Sequence, residues 1–436
     1  MDLLYVLLLV EILLLIISFI LTKKDIFSPA NIMVIMFIVS TIFAVMFKDR
    51  WNIDFQLSTF IVIVSGLIEA ILIDTLFCRF KTKKEVTNIN KIEYIDVNTI
   101  LLILTLIVGV VAIVLFYLDI KRVVSGYNNI TDNLFTNYRN IKNGYVTPIN
   151  EPLSTSFITN QLYRVMIALG YVSSLCLAWN LNSDHKIHQI GFHIVLILMA
   201  MVMCYMEGAR GGILQIAAAF AIDYFICFKR RKGWDKSIHK EILIILIIML
   251  VVAVPVFYLS AIKNQTVGSD SFIYYVGKYI GGSIALLNLY MLNPLPVSIF
   301  GQETFAGLLN NLSSFGLPIE SSQVALEFRN EIGNVYTFFR RPFHDFGLIG
   351  MLVCTMLFIA FFSYIYHKKI KNNYSKRCDY WILFYSLFIY WLVISSVENY
   401  LFSLSIGLFM NIIVTMIIFF IFKNSNLYLR KITKHE

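Results

Sequence analysis

The sequence predicts an all-α polytopic membrane protein, from its composition and from the spacing of its apolar runs. Of 436 residues, 58% are hydrophobic and 14% are charged, whereas a soluble domain carries about 25% charged residues. Apolar runs of about 20 residues, the length of a helix that crosses the hydrocarbon core, recur along the whole chain. The first run, Leu3–Leu21, is long and lacks a small-residue cleavage site, so we expect a retained span rather than a signal peptide.

Hydropathy predicts about eleven transmembrane helices within a single integral membrane domain, residues 1–436. The predicted spans are 2–22, 29–47, 58–77, 99–120, 158–180, 190–206, 211–228, 241–260, 345–366, 379–397 and 401–422. Two long loops separate them, at about 121–157 and 261–344. Residues 271–291 are apolar enough for a twelfth span, but their glycines and tyrosines favour a partly buried or interfacial helix.

Basic residues set the expected orientation. The basic clusters at 79–84, 229–240, 368–377 and in the tail from Lys423 all fall on one side of an eleven-span chain, and that side holds most of the 36 Lys and Arg residues. Positive charge marks the cytoplasmic face, so the N-terminus and both long loops are expected outside and the C-terminus inside. Basic residues scattered over short loops also argue against a nucleic-acid partner.

The first candidate site is the stretch EGARGG, Glu207 to Gly212. The topology puts it at the outer end of the sixth and seventh spans, where Arg210 can reach water. Gly208 and the two later glycines allow a tight helix–turn–helix with uncovered backbone N–H groups. An arginine at such a helix start suits an anion, since guanidinium matches phosphate in a bidentate way. The alternative is a compact turn in which Arg210 pairs with Glu207 or reaches lipid headgroups.

The second candidate site precedes the ninth span and contains Arg340, Arg341, His344 and Asp345. Each residue alone has an ordinary explanation, because arginines can anchor headgroups, a histidine can sit at the interface, and Asp345 can cap a helix. Together they indicate a site. Arginine on the predicted external side runs against the orientation rule, so it calls for a partner, expected to be an anion.

Other charged residues are weaker candidates. Arg164, in the outer third of the fifth span, needs a partner or an aqueous cavity. Arg139 in the first long loop fits either headgroup binding or substrate capture, and Lys278 in the second loop adds positive potential. Glu11 and Glu69 lie within early spans; as a proton relay they would favour a transporter.

No nucleotide-binding motif and no dense His/Asp/Glu cluster typical of zinc is present. The six cysteines form no CxxC pair and avoid the predicted external loops, which argues against disulfides and a cysteine metal site. An enzyme built from these residues would need no metal or nucleotide cofactor and would act on a substrate carrying its own leaving group. Arginines suit a phosphate leaving group, and a histidine or carboxylate suits activation of an acceptor hydroxyl.

Three motifs resemble those of the Wzy-type oligosaccharide repeat-unit polymerases, relatives of the O-antigen ligases. One is the turn GARGG, 208–212, between two mid-chain spans. Another is Tyr336-Thr337 followed by Asp345-Phe346-Gly347-Leu348-Ile349-Gly350 at the end of a large external loop. The third is the loop helix YVGKYIGGSIALLN, 275–288.

The resemblance implies a GT-C-like helical glycosyltransferase in the bacterial inner (plasma) membrane. Such enzymes join undecaprenyl-pyrophosphate-linked oligosaccharides on the outer face, without metal or nucleotide, beside a chain-length regulator and a flippase. It assigns pyrophosphate binding to Arg210 together with Arg340 or Arg341, and Arg164 is a further candidate. The acceptor base would be His344, Asp345 or Glu207. The remaining expected substrate contacts are Arg139, Lys278, Tyr279, Tyr336 and Thr337. Alternatives are an O-antigen-type ligase and a lipid-linked oligosaccharide flippase or transporter.

Overall fold

The fold is helical and has the character of a multi-pass membrane protein. The computed structural model describes residues 2–80, 95–127, 133–142, 144–149, 153–183, 189–208, 210–234, 239–263, 272–294, 300–316, 332–373, 375 and 377–432, without the side chains of 210, 239, 259–263 and 427–432. Within these ranges ten helices are long and apolar enough to cross a membrane. The only β pairing among the described residues is an isolated antiparallel bridge between Tyr127 and Pro148. The prediction of an all-α polytopic membrane protein is confirmed.

Sixteen α-helices lie within the described residues. In chain order they are α1 (Leu3–Leu21), α2 (Pro29–Met46), α3 (Lys48–Trp51), α4 (Leu57–Arg79), α5 (Thr99–Val124), α6 (Leu134–Lys142), α7 (Phe157–Leu181), α8 (Ile190–Glu207), α9 (Arg210–Lys232), α10 (His239–Lys263), α11 (Phe272–Ile280), α12 (Gly282–Leu292), α13 (Ala306–Ser314), α14 (Arg340–Ser363), α15 (Cys378–Val393) and α16 (Ile406–Ile432). A π-helical segment, Tyr364–Lys371, extends α14, and a 3₁₀ turn, Tyr400–Ser403, precedes α16.

Three of the predicted spans differ from the helices observed. The predicted span 379–397 is α15, which has 16 residues and is therefore about 24 Å long, less than the roughly 30 Å of a hydrocarbon core. The predicted span 345–366 begins earlier, at Arg340, and the last span begins later, at Ile406. Residues 271–291 form two helices, α11 and α12, that meet at Gly281.

Side-chain caps explain where several of these helices begin. Asp2 Oδ1 accepts the Leu4 N–H at 3.0 Å at the start of α1. Asn98 Oδ1 accepts the Ile100 N–H at 2.8 Å at the start of α5. Short polar side chains at these positions satisfy backbone donors that the first helical turn leaves without partners.

The chain folds into two compact units, of which unit 1 is formed by Met1–Thr87, Phe257–Trp381 and Tyr390–Leu408. In unit 1, α2 packs against α1, α4, α11, α12 and α14, and α4 packs closely on α14. The close approach depends on Gly66, since a Cβ there would lie 2.3 Å from the Phe339 ring. This packing fixes the start of α14, which contains the second candidate site.

A buried polar cluster holds three helices of unit 1 together around Asp74. The Asp74 carboxylate accepts hydrogen bonds from the Ser28 hydroxyl, the Ala30 N–H at 3.1 Å and the Ser363 hydroxyl at 2.7 Å. His367 Nε2 lies 2.8 Å from its Oδ1. Asp74 is fully buried, so it joins α4 to the start of α2 and to the end of α14.

Replacing Asp74 by Ala is expected to destabilise unit 1 by roughly 3–5 kcal/mol, the cost of removing one partner from a buried charged network. Thermal unfolding in detergent, followed by monodispersity, measures the effect. Glu69→Ala is the matched control on the same helix, because Glu69 is only half-buried and accepts no hydrogen bond from the described residues; its effect should stay within about 0.5 kcal/mol. Equal unfolding midpoints for the two variants would contradict the role given to Asp74.

Unit 2 is formed by Asn88–Val256, Ile382–Ile389 and Phe409–Glu436. Its central helix is α7, which packs against α5, α8 and α9. Gly170 allows the approach of α8, since a Cβ there would lie 2.7 Å from the Ala200 Cβ. The short helix α6, inside the predicted first external loop, packs on α5 and α8.

Candidate active site

The second candidate site is built on the first two turns of α14. The Arg340 N–H bonds to the Thr337 carbonyl at 3.2 Å as the helix begins. The preceding segment is anchored by Asn399 Nδ2, which donates to the Phe338 carbonyl at 3.0 Å. Gly347, at φ 68° and ψ −169°, interrupts the helix two residues after Asp345. The charged residues therefore lie on a short helical segment that Gly347 separates from the membrane-spanning part of α14.

Arg340 is a fully buried cation with an aromatic residue on either side. Its Cζ lies 4.9 Å from the ring centroids of both Tyr290 and Tyr336, within range of a cation–π interaction. Its Nη1 forms an ion pair with Glu303. Its Nε and Nη2 have no hydrogen-bond acceptor among the described residues. Buried donors of this kind point to a further acceptor such as water or an ion.

Arg341 is held by a different carboxylate. Its Nε donates to Glu398 Oε1 at 3.0 Å, and its Nη1 donates to the Glu303 carbonyl at 3.3 Å. Its Cζ lies 4.5 Å from the centroid of the Phe402 ring. Burial, together with the nearby Glu398 carboxylate, raises the pKa of Tyr400 to about 12, so this phenol stays neutral near pH 7. The two adjacent arginines thus point to separate carboxylates.

Both ring nitrogens of His344 face a polar group. Its Nδ1 lies 2.8 Å from the Tyr290 hydroxyl, and its Nε2 lies 3.7 Å from Glu303 Oε1. A tautomer with the proton on Nε2 accepts from the phenol and presents N–H towards the carboxylate.

Asp345 binds a loop rather than capping its own helix, which corrects the explanation of Asp345 as a cap. Its Oδ2 accepts the Thr304 N–H at 2.7 Å. The Glu303 N–H lies 3.3 Å from Oδ1 and 3.2 Å from Oδ2. Helix α14 begins five residues before Asp345. The Asp345 carboxylate therefore does not accept the first N–H groups of this helix and instead accepts those of Glu303 and Thr304.

All four charged residues of this segment therefore contact one residue that sequence reasoning missed, Glu303. We refer to Glu303, Arg340, Arg341, His344 and Asp345 as the Glu303 cluster. Arg340 and His344 contact the Glu303 carboxylate, while Arg341 and Asp345 bind its backbone. Glu303 is 5% exposed. Nothing marks it in the sequence, where it is one of several acids in a long loop.

The residues of unit 1 that were predicted to contact substrate differ in their neighbours. Tyr336 stacks on Arg340, as described above. Thr337 is buried, and its Oγ1 has no hydrogen-bond partner among the described residues. Lys278 Nζ lies 4.8 Å from the Tyr274 ring centroid, and the Tyr279 ring packs 5.2 Å from that of Tyr275.

The first candidate site lies in unit 2 and forms the tight turn that its glycines predicted. Helix α8 ends at Glu207, Gly208 follows at φ 78°, and α9 begins at Arg210. The Arg210 side chain lies outside the described residues. The Glu207 carboxylate binds Lys142 and the Tyr163 hydroxyl, so both of its oxygens are occupied.

Two further arginines belong to unit 2. The aliphatic stem of Arg139 crosses the glycine turn, since a Cβ on Gly208 would lie 2.9 Å from the Arg139 Cβ. Arg164 is half-buried in the third turn of α7, and no described carboxylate pairs with it. The roles of both residues stay predictions.

Comparison with known proteins adds no relative. No family model matches the chain, and neither a curated protein nor a solved structure matches it significantly. Among the described residues, no group of three or more His, Cys, Asp or Glu side chains is arranged to hold a metal ion. Function is therefore inferred from the geometry of the two candidate sites.

Proposed function

We propose that this chain is a membrane glycosyltransferase that polymerises undecaprenyl-pyrophosphate-linked oligosaccharide repeat units on the outer face of the bacterial cytoplasmic membrane. The observation that carries the proposal is Arg340. Its guanidinium is fully buried at the start of a membrane-spanning helix, where Nη1 pairs with Glu303 and neither Nε nor Nη2 has a hydrogen-bond acceptor among the described residues. A phosphate oxygen is the acceptor that this planar donor group matches best.

The proposed reaction needs two groups: one that binds the anionic leaving group and one that accepts the proton of the attacking hydroxyl. The acceptor sugar hydroxyl attacks C1 of the growing chain, the C1–O bond to pyrophosphate breaks, and its electron pair leaves with the lipid pyrophosphate. Arg340 stabilises that negative charge, at about 1.5–3 kcal/mol per charge-assisted hydrogen bond. A carboxylate or imidazole takes the hydroxyl proton. Arg341 places the Glu398 carboxylate and the Glu303 backbone next to this group. The roles of Arg210 and Arg164 in pyrophosphate binding stay part of the proposal.

The purified protein is expected to convert lipid-linked repeat units into a ladder of longer chains, still attached to lipid pyrophosphate. The units are extracted from a strain of the source organism lacking the gene, and the reaction runs in detergent micelles, where no ion gradient exists. Gel electrophoresis of the labelled glycans measures the product.

This assay, together with a transport assay in vesicles, separates the alternatives. A single transfer to a lipid or protein acceptor would identify a ligase. A chain that moves lipid-linked oligosaccharide across vesicle membranes and never lengthens it would be a transporter, and the buried Glu11, which accepts from the Thr41 hydroxyl at 3.1 Å, would then be the first acid to examine. Either result would overturn the polymerase assignment.

A further inference from the structure

The carboxylates predicted as the acceptor base already serve contacts within the protein. The Asp345 oxygens accept backbone N–H groups of Glu303 and Thr304. The Glu207 oxygens face Lys142 and a tyrosine hydroxyl. Both oxygens of each carboxylate are therefore directed at groups of the protein.

His344 is engaged in the same way. With Nδ1 facing the Tyr290 hydroxyl and Nε2 facing a carboxylate, the tautomer that satisfies both neighbours has no free lone pair. The imidazole of His344 is thus the middle member of a chain that runs from the Tyr290 phenol to the Glu303 carboxylate, and its position fixes the orientation of both neighbours. Its geometry suits a positioning residue.

Glu303 differs from these groups. Its Oε2 faces Arg340, while its Oε1 accepts no hydrogen bond from a described residue and lies 3.7 Å from His344 Nε2. Its backbone is fixed on both sides, through the Arg341 bond to its carbonyl and the Asp345 bonds to its N–H. The other carboxylate nearby, Glu398, accepts from Arg341 and from the Asn399 N–H at 2.9 Å, both through its Oε1. Among the described residues it pairs with Arg341, whereas Glu303 is the carboxylate that pairs with Arg340.

We propose that Glu303 is the general base, taking the proton from the acceptor hydroxyl on its Oε1. This inference rests on the proposed polymerase function. As the hydroxyl oxygen bonds to C1 and the C1–O–phosphate bond breaks, the O–H pair becomes the new glycosidic bond and the proton passes to the carboxylate. Arg340 lies beside both the carboxylate and the leaving group, so one residue couples proton removal to pyrophosphate release. His344 Nε2 lies 3.7 Å from Oε1, and the Tyr290 hydroxyl orients the His344 ring from its other nitrogen.

The first test replaces Glu303 by Gln, which keeps the shape of the side chain and removes its basicity. Polymer formation from the lipid-linked repeat units should fall about 10²–10⁴-fold, the usual contribution of a positioned base. Glu69→Gln is the matched control, an acid of the same unit outside the cluster, and should polymerise at the wild-type rate. An E303Q rate within threefold of wild type would overturn the assignment.

The second test uses Glu303→Ala with sodium azide, an anionic nucleophile that has no proton to lose. If Glu303 is the base, azide restores release of lipid pyrophosphate and forms a glycosyl azide, while polymer stays absent. A monodisperse E303A protein that azide does not rescue would assign Glu303 a structural role and overturn the proposal. A wild-type protein that releases no lipid pyrophosphate and makes no ladder would instead contradict the proposed polymerase function itself.

Discussion

Arg340→Ala is expected to abolish polymer formation and to lower the free energy of unfolding by about 3–5 kcal/mol. The substitution leaves the buried Glu303 carboxylate without its counter-ion, and breaking a buried pair from one side carries a cost of that size. It also removes cation–π contacts with two tyrosine rings, at about 0.5–2 kcal/mol each. Chain-length distribution and thermal unfolding in detergent measure the two effects.

A double variant separates folding from catalysis at this position. Arg340→Met combined with Glu303→Leu replaces the buried ion pair by apolar side chains of similar size, a change that is often neutral or stabilising. Its unfolding midpoint should return towards the wild-type value while polymer formation stays absent. Arg340→Lys keeps the charge without the planar donor fork and should be folded and strongly impaired. Wild-type chain lengths from Arg340→Ala would remove the basis of the proposed anion site.

Asp345→Ala is the second change with a large expected effect. It leaves the N–H groups of Glu303 and Thr304 without acceptors, at about 1–3 kcal/mol for each buried donor. The 303–304 segment then loses its anchor, and the Glu303 carboxylate shifts away from Arg340 and His344. Polymer formation should fall at least 100-fold, since small displacements of a catalytic group have effects of this order.

Asp345→Asn distinguishes an anchoring role from a catalytic one. The amide keeps one carbonyl oxygen for the Thr304 N–H, so we expect a loss of only about tenfold and most of the stability retained. If Asp345 were itself the base, Asp345→Asn would be inactive by about 10²–10⁴-fold although folded. Asp54→Asn, at an exposed carboxylate of the same unit, serves as control and should stay within about 0.5 kcal/mol of wild type.

Local patterns predicted most of the secondary structure correctly. The apolar runs predicted helices because backbone groups in lipid must bond within their own segment, and the glycines after Glu207 predicted the turn between α8 and α9. The predicted span began at residue 345 instead of Arg340, because hydropathy assigns the polar residues Arg340, Arg341 and His344 to a loop. Tertiary contacts bury these charges against carboxylates and aromatic rings, and α14 can therefore begin before its apolar run.

The candidate site was predicted only in part. The sequence by itself determined that this is a helical membrane protein, and it showed that two arginines, a histidine and an aspartate stand together before a span and call for an anionic partner. Only the tertiary structure showed which carboxylates of the chain lie beside the arginines: Glu303 pairs with Arg340, and Glu398 binds Arg341. Glu303 precedes the arginines by more than thirty residues in a loop, and spacing along a chain carries no information about such a contact. Packing around α14 brings these groups together, because a buried charge is stable only beside its counter-ion.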